Sequence, residues 1–287
     1  MSHDHPDHAL RTLGDEDNFR ILVIRNTHTA ADILDAQGPL DADTAGLLTD
    51  MVTASLLLRL TMSPDYRLQT ILQNRSIGNI VTDSHPDGIT RGLVRIADGQ
   101  RLRTGDGTLL SIHRSMYGGD IHQGVVETSD GQGIGDAVAG YLHHSEQITS
   151  VVHIDHRVDD DGQLQFAGGY VVQLVPGKSD IDDATLAIMT ARLDNLPSIA
   201  DLFDAADQDS QAVADELYGP IPFKALGQND FHSGCVCSAD RVIKALSTLS
   251  DDDIADLRSD GDDVTVDCDY CGAAHTIDLD DVQRLRQ

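Results

Sequence analysis

The chain has 287 residues, of which 40 % are hydrophobic and only 4 % aromatic, with no tryptophan. Its core must therefore be built mostly from Leu, Ile, Val and Ala. The 48 acidic and 20 basic residues give a formal net charge of -28, which argues against nucleic acid or an anionic membrane as partner, since both need clustered Lys or Arg.

The Asp residues are scattered along the whole sequence, so they read as a solvated acidic shell rather than one recruiting face. The apolar region 51–62 is interrupted by Thr53, Ser55, Arg59 and Thr61, short of the roughly 18 apolar residues a membrane helix needs. The N-terminus, MSHDHPDHAL, lacks the basic start and apolar run of a secretory signal. A cytoplasmic protein is expected, with reduced cysteines. His3, His5 and His8 read as part of a frayed polar terminus.

In chain order, residues 19–24 are β-like. Asp41 is an N-cap candidate for a broadly apolar helix carrying Leu47, Leu48, Met51, Leu56, Leu57 and Leu60. Short alternating segments follow at 68–72, 77–81, 92–96 and 109–113. Turn residues end most of them, at Ser84 to Gly88, Asp98 and Gly99, and Gly118 and Gly119. This spacing predicts an antiparallel sheet rather than repeated βαβ units. Residues 135–144 read as a helix. Segments 151–154, 164–166 and 170–175 read as further strands, with Asp159 to Gly162 as a hairpin turn.

From 179 to 230 the pattern becomes helical and acidic. Helices are predicted over 181–193, after a Ser198 cap with Ile199, Leu202 and Phe203, and over 211–218 up to Gly219 and Pro220. Being short and weakly amphipathic, they need a surface to lie on. In the last zone, 240–250 and 250–257 read as helices, and strands 264–266 and 275–277 flank a tight turn. The fold class expected is α+β, mainly antiparallel sheet packed with helices. The expected division is a core domain over 1–178, a metastable helical linker over 179–231 and a small zinc-binding domain over 232–287.

All four cysteines of the chain, Cys235, Cys237, Cys268 and Cys271, lie in that last zone. Their pattern is C-x-C, thirty residues, then C-x-x-C. Two closely spaced thiol pairs can supply the four tetrahedral ligands Zn²⁺ prefers. A zone with so few large apolar residues also needs a staple. A Cys₄ shell is closed, which argues for a structural rather than hydrolytic metal, and no enzyme is expected. His232 and His275 are alternative ligands, but four sulfurs already complete the shell. A thioredoxin-like pair at Cys268 and Cys271 would need a βαβ setting, and a nucleic-acid ribbon would need more Lys and Arg.

Other motifs carry less. Gly131, Gly133 and Gly135 lack the spacing and the preceding strand of a dinucleotide fingerprint, so they read as a loop. His143, His144, Ser145 and Glu146 are consecutive at a helix end, where side chains diverge. No nucleophile has a matching base.

Taken together, these residues resemble the heat-shock protein 33 family, the redox-regulated holdase chaperones of bacteria. The likeness rests on the cysteine pattern with Ser238 and Gly272, on the run Tyr141 to Gln147 with its Ser-Glu-Gln, and on the run Gly168 to Gly177. It spans nearly the whole chain. One departure is Ser238, Ala239, Asp240, Arg241, where the family usually has a basic residue directly after the serine.

The resemblance implies that Cys235, Cys237, Cys268 and Cys271 hold Zn²⁺ in a reduced, inactive protein. It further implies that oxidants form the disulfides Cys235–Cys237 and Cys268–Cys271 and release the metal. The small domain then unfolds, the linker loosens, and apolar surface binds unfolded or partly folded clients without ATP. Whether the oxidised form is a homodimer is left open. The rival readings are a zinc-ribbon adaptor for one specific partner and a thiol oxidoreductase.

Overall fold

The structure, a computed structural model, describes residues 6–16, 18–116, 119–175, 183–259 and 261–286. His3 and His5, the turn at Gly118 and the expected boundary at 178/179 lie outside the described residues. The chain divides into two compact units, Met1–Ser233 and Gly234–Gln287.

The first unit begins with β1 (His8–Gly14), β2 (Phe19–Arg25), α1 (Thr27–Gln37) and α2 (Ala42–Thr61). It continues with β3 (Arg67–Asn74), β4 (Gly78–Ser84), β5 (Ile89–Ile96), β6 (Leu109–Ser115), β7 (Ile121–Glu127) and α3 (Ile134–Ser145). Then come β8 (Ser150–Val158), β9 (Leu164–Leu174), α4 (Asp183–Leu193), α5 (Ile199–Ala205) and α6 (Ser210–Tyr218), and finally β10 (Phe223–Asp230) and β11 (His232–Ser233). The strands form one sheet of order β10-β1-β2-β9-β8 and another of order β11-β5-β4-β3-β6-β7. Every pairing is antiparallel except the short β11 against β5. The α+β class with antiparallel sheets is as the sequence implied.

Helix α2 packs on β3, β4 and β5 of one sheet and on β2, β8 and β9 of the other. A helix walled in this way must be apolar all round, and Leu48, Met51, Val52, Leu56, Leu57 and Leu58 are all buried. Its N-cap is Asp41, whose carboxylate accepts from the Thr44 backbone N–H at 3.3 Å. The opposite face of the first sheet carries the second-zone helices. Phe203, Tyr218, Val213 and Leu217 are buried there against Phe19, Ile21, Val23, Phe166 and Val172. The surface those helices need is therefore this sheet. Ser198 caps α5 as expected, accepting from Asp201 N at 3.2 Å.

Three expectations are corrected. His8 is not in a frayed end: it opens strand β1, and its Nε2 lies 2.8 Å from the Ser210 hydroxyl. The second zone is not helical throughout, because Phe223–Asp230 is a strand pairing with β1. The segments 164–166 and 170–175 are one continuous strand, β9. Gly168 and Gly169 make that continuity possible, since a Cβ at Gly169 would lie 2.5 Å from the His153 carbonyl and one at Gly168 2.7 Å from that of Ile24.

A buried ionic knot fixes the second sheet. Asp83, fully buried, accepts from Arg67 Nε at 2.7 Å, Arg91 Nη2 at 2.7 Å and His85 Nε2 at 3.1 Å. Burial alone would raise the Asp83 pKa, but the hydrogen bonds from His85 and Arg67 and the Arg67 charge outweigh it and hold the carboxyl far below its ordinary range.

The second unit comprises α7 (Ala239–Leu246), α8 (Asp251–Ser259), β12 (Asp263–Asp267), β13 (Ala274–Asp278) and α9 (Leu279–Arg286). Strands β12 and β13 form an antiparallel hairpin. The buried apolar side chains here are Ile254, Ile277, Leu279 and Val282, with Val242, Ile243, Leu246 and Leu257 half-buried around them.

Candidate metal centre

The first cysteine pair lies in the irregular stretch that leads into α7. Ser238 caps that helix by accepting from Arg241 N at 3.3 Å, which sets the helix start directly after Cys237. The second pair sits at the tip of the β12–β13 hairpin. There the Cys268 N–H donates to Ala273 O at 3.0 Å and the Gly272 N–H to Cys268 O at 2.7 Å. Gly272 has φ +68, a left-handed conformation that glycine adopts without strain. The tight turn leaves two sulfurs free to point the same way.

The two pairs meet. The four Sγ atoms all lie within 4.8 Å of one another. Cys235 and Cys268 are 3.6 Å apart, and so are Cys237 and Cys271. Four sulfurs each about 2.3 Å from a common tetrahedral centre would be separated by about 3.8 Å. The donor set and its spacing thus fit a tetrahedral thiophilic ion. A disulfide needs an S–S separation of about 2.05 Å, so no disulfide joins these four cysteines.

The electrostatics agree with this. Burial, followed by the neighbouring thiols of Cys271, Cys235 and Cys268, pushes the Cys237 thiol up to about 12. Burial raises Cys271 as well. Thiols crowded like this cannot ionise together unless a cation compensates them.

His275, named as an alternative ligand, stands outside the cluster, with its Nε2 3.3 Å from Cys237 Sγ. At that distance it can donate to the sulfur, as a ligand-orienting neighbour does. His232 is in β11, paired with Ile89 of β5. Nothing in the sequence marks the His275 contact beyond its place four residues after Cys271.

The other motifs resolve structurally. Gly131 is a turn residue with φ +71. Gly133 is the N-cap of α3, and a Cβ on Gly135 would lie 2.7 Å from Val152 O. Glu146 accepts from the Tyr141 hydroxyl at 2.7 Å and Arg114 Nη1 at 2.8 Å, and burial, followed by Glu146, raises the tyrosine pKa. His143 and His144 pack edge to face with ring centroids 5.0 Å apart. This cluster ties α3 to β6.

A model of the family described as Hsp33 protein matches residues 7–278. The chain belongs to the Hsp33 family. It is 26 % identical to a 33 kDa chaperonin of Streptococcus gordonii over 97 % of this chain and 98 % of the relative. With a 33 kDa chaperonin of Streptococcus sanguinis the identity is 25 % over the same shares. The crystal structure of the 33 kDa chaperonin (heat shock protein 33 homolog) from Thermotoga maritima superposes with a TM-score of 0.79 at 19 % identity, covering 98 % of each chain. The expected family and fold are thereby both found. Among the described residues, no helix is long and apolar enough to cross a membrane.

Proposed function

We propose that this protein is a cytoplasmic, ATP-independent holdase chaperone, switched on when oxidation of Cys235, Cys237, Cys268 and Cys271 releases a structural Zn²⁺. The observation that carries the reading is the convergence of four cysteine sulfurs at tetrahedral spacing in a unit that buries so little apolar surface.

Cys235 and Cys237 before α7 and Cys268 and Cys271 at the hairpin tip would hold the ion as thiolates, and its positive charge would offset their repulsion. An oxidant such as hypochlorous acid takes two electrons from each cysteine pair, is reduced to chloride, and leaves an S–S bond where two metal ligands had been. In this reading the pairs are Cys235–Cys237 and Cys268–Cys271, as the family resemblance implies. With its ligands consumed, the tail loses its largest source of folding free energy, since structural zinc contributes roughly 10–16 kcal/mol in small zinc domains.

The segment 179–231 is the proposed metastable linker between the core and the switch. Ser233 is followed directly by Gly234 and Cys235, so disorder in the tail begins next to β10 and β11. Detachment of α5 and α6 would bare Phe203, Leu217 and Tyr218 and the sheet face of Ile21, Val23 and Val172 that they cover. A continuous apolar surface of that kind is what an unfolded client needs. The same surface on two copies could support a homodimer of the oxidised form.

The test is to treat the reduced, zinc-loaded protein with hypochlorous acid. Zinc release is followed with a chromophoric chelator and light scattering of a heat-denatured client is recorded. Release accompanied by suppressed aggregation is expected. A protein that loses zinc and protects nothing would be a zinc-ribbon adaptor instead.

A further inference from the structure

Each of the two sheets in the first unit ends in two edge strands, and an unpaired edge is a ready template for another chain. Three of these four edges are blunted. Strand β8 carries Asp155, His156 and Arg157 and shifts register between Arg157 and Val158. Strand β10 carries Lys224 and pairs with β1 across a register shift at Arg11 and Thr12. Strand β11 is two residues long.

The fourth edge, β7, has none of these devices. It runs for seven residues in unbroken antiparallel register with β6. It holds no Pro, Lys, Arg or Asp, and its one carboxylate is on its last residue, Glu127. Ile121 and Val125 are 68 % and 46 % exposed.

The ladder fixes which backbone groups face outward. The Thr128 N–H donates to Thr108 O at 3.0 Å, one step beyond the opposed pair Leu109 and Glu127. Opposed residues alternate between bonded and non-bonded pairs, so Val126, Gly124 and His122 bond to β6. The N–H and C=O groups of Ile121, Gln123, Val125 and Glu127 then point away from the sheet, without a partner among the described residues. Helix α3 backs the strand from the inner face, where a Cβ on Gly124 would lie 2.4 Å from the Tyr141 ring.

Exposed acids stand at both ends, Asp120 before the strand and Glu127 at its close, on a chain of net charge -28. A second copy brings the same charge, so repulsion opposes edge-to-edge pairing of two copies. A cationic strand is attracted instead.

We propose that β7 is a docking edge for an extended, cationic segment of unfolded polypeptide, which joins the sheet as a seventh strand. Its backbone pairs with Ile121, Gln123, Val125 and Glu127. Its alternate apolar side chains lie beside Ile121 and Val125, and its Lys or Arg side chains face Asp120 and Glu127. The proposal rests on the chaperone reading only in taking unfolded polypeptide as the partner, and the edge needs no release of metal. One added strand is a small contact, so by itself it holds a client weakly.

The test uses the reduced, zinc-loaded full-length protein and a fluorescein-labelled peptide, Lys-Thr-Val-Thr-Val-Thr-Lys, followed by fluorescence anisotropy. Saturable binding is expected. Methylation of the peptide's backbone nitrogens, which keeps its side chains and charge, should abolish it. Glu in place of both Lys residues should weaken it at least about tenfold at low salt. Val125→Pro removes one outward N–H and spares the bonds to β6, and should also weaken binding at least about tenfold, the share of a lost hydrogen bond. Thermal unfolding of that variant without peptide checks its fold, and the methylated peptide decides the matter without any variant. No saturable binding, or equal affinity for the methylated or the acidic peptide, would overturn the proposal. So would a reduced protein that sediments as a dimer and becomes a monomer in Val125→Pro, which would give the edge to a second copy. Client protection after oxidation without peptide binding would sink this edge and leave the chaperone reading standing; peptide binding without protection would do the reverse.

Discussion

The body of the molecule buries Phe19, Phe166, Phe203, Tyr218 and a long row of Leu, Ile and Val, while the tail buries Ile254, Ile277, Leu279 and Val282. Both carry the same kind of acidic surface, and both contain regular helices and strands. The difference lies in what replaces water inside. Burial at roughly 25 cal/mol per Å² can hold a sheet sandwiched between helices, but four apolar side chains cannot offset the chain entropy of fifty residues. In the body, stability is spread over two sheets. In the function proposed above, the tail's stability rests instead on a metal held by its four sulfurs, so a chemical event there would unfold one part and leave the other standing.

The largest expected effect comes from removing the metal. Chelation under reducing conditions, or Cys268→Ser, should withdraw most of the roughly 10–16 kcal/mol that a structural zinc supplies. Hydrogen exchange should then show the amides of 234–286 unprotected and those of β2, β9 and α2 still protected. Equal protection in both regions would break the comparison.

Next is Asp83→Asn. Breaking a buried ion pair costs about 3–5 kcal/mol, read as a lower midpoint of the body's denaturant unfolding. The sign of the pH dependence follows from the depressed Asp83 pKa. Its contribution is complete above the unfolded-state value of about 3.9 and is lost as pH falls below it, so acid should narrow the gap between wild type and variant.

Phe203→Ala should cost a similar or slightly smaller amount, about 3 kcal/mol for a buried aromatic truncated in place. It should also loosen α5 without releasing zinc. A variant that released the metal in step with α5 would show the two regions to be one cooperative unit. The smallest effect expected is from Ser238→Ala, about 1 kcal/mol for a lost N-cap, read as faster zinc loss to a chelator with the body's melting temperature unchanged.

Much of this was legible in the chain. The Asp41 cap, the all-round apolar helix after it, the alternating strands at 68–72 and 109–113, and the cysteine spacing all depend on neighbours within a few residues, and all appear in the structure. Strand β1 was not legible, because HALRTLG carries His8 and Arg11 and its pairing partner β10 lies more than two hundred residues away. Strand β7 was hidden by its exposure: Ile121 and Val125 face solvent, so no buried alternation marks it. The helix α9 starts with acidic residues and buries only Leu279 and Val282, too few for a period to be read.

By itself the sequence determined the fold class, the four candidate ligands and the family, because cysteine spacing, strand alternation and helix caps are local patterns that survive without knowledge of what lies opposite. Only the tertiary structure decided that the sulfurs converge and that α5 and α6 rest on the outer face of the first sheet. Each of those facts joins residues far apart in the chain. Their meeting is set by which apolar faces can close on one another, a property of the packed whole rather than of any segment.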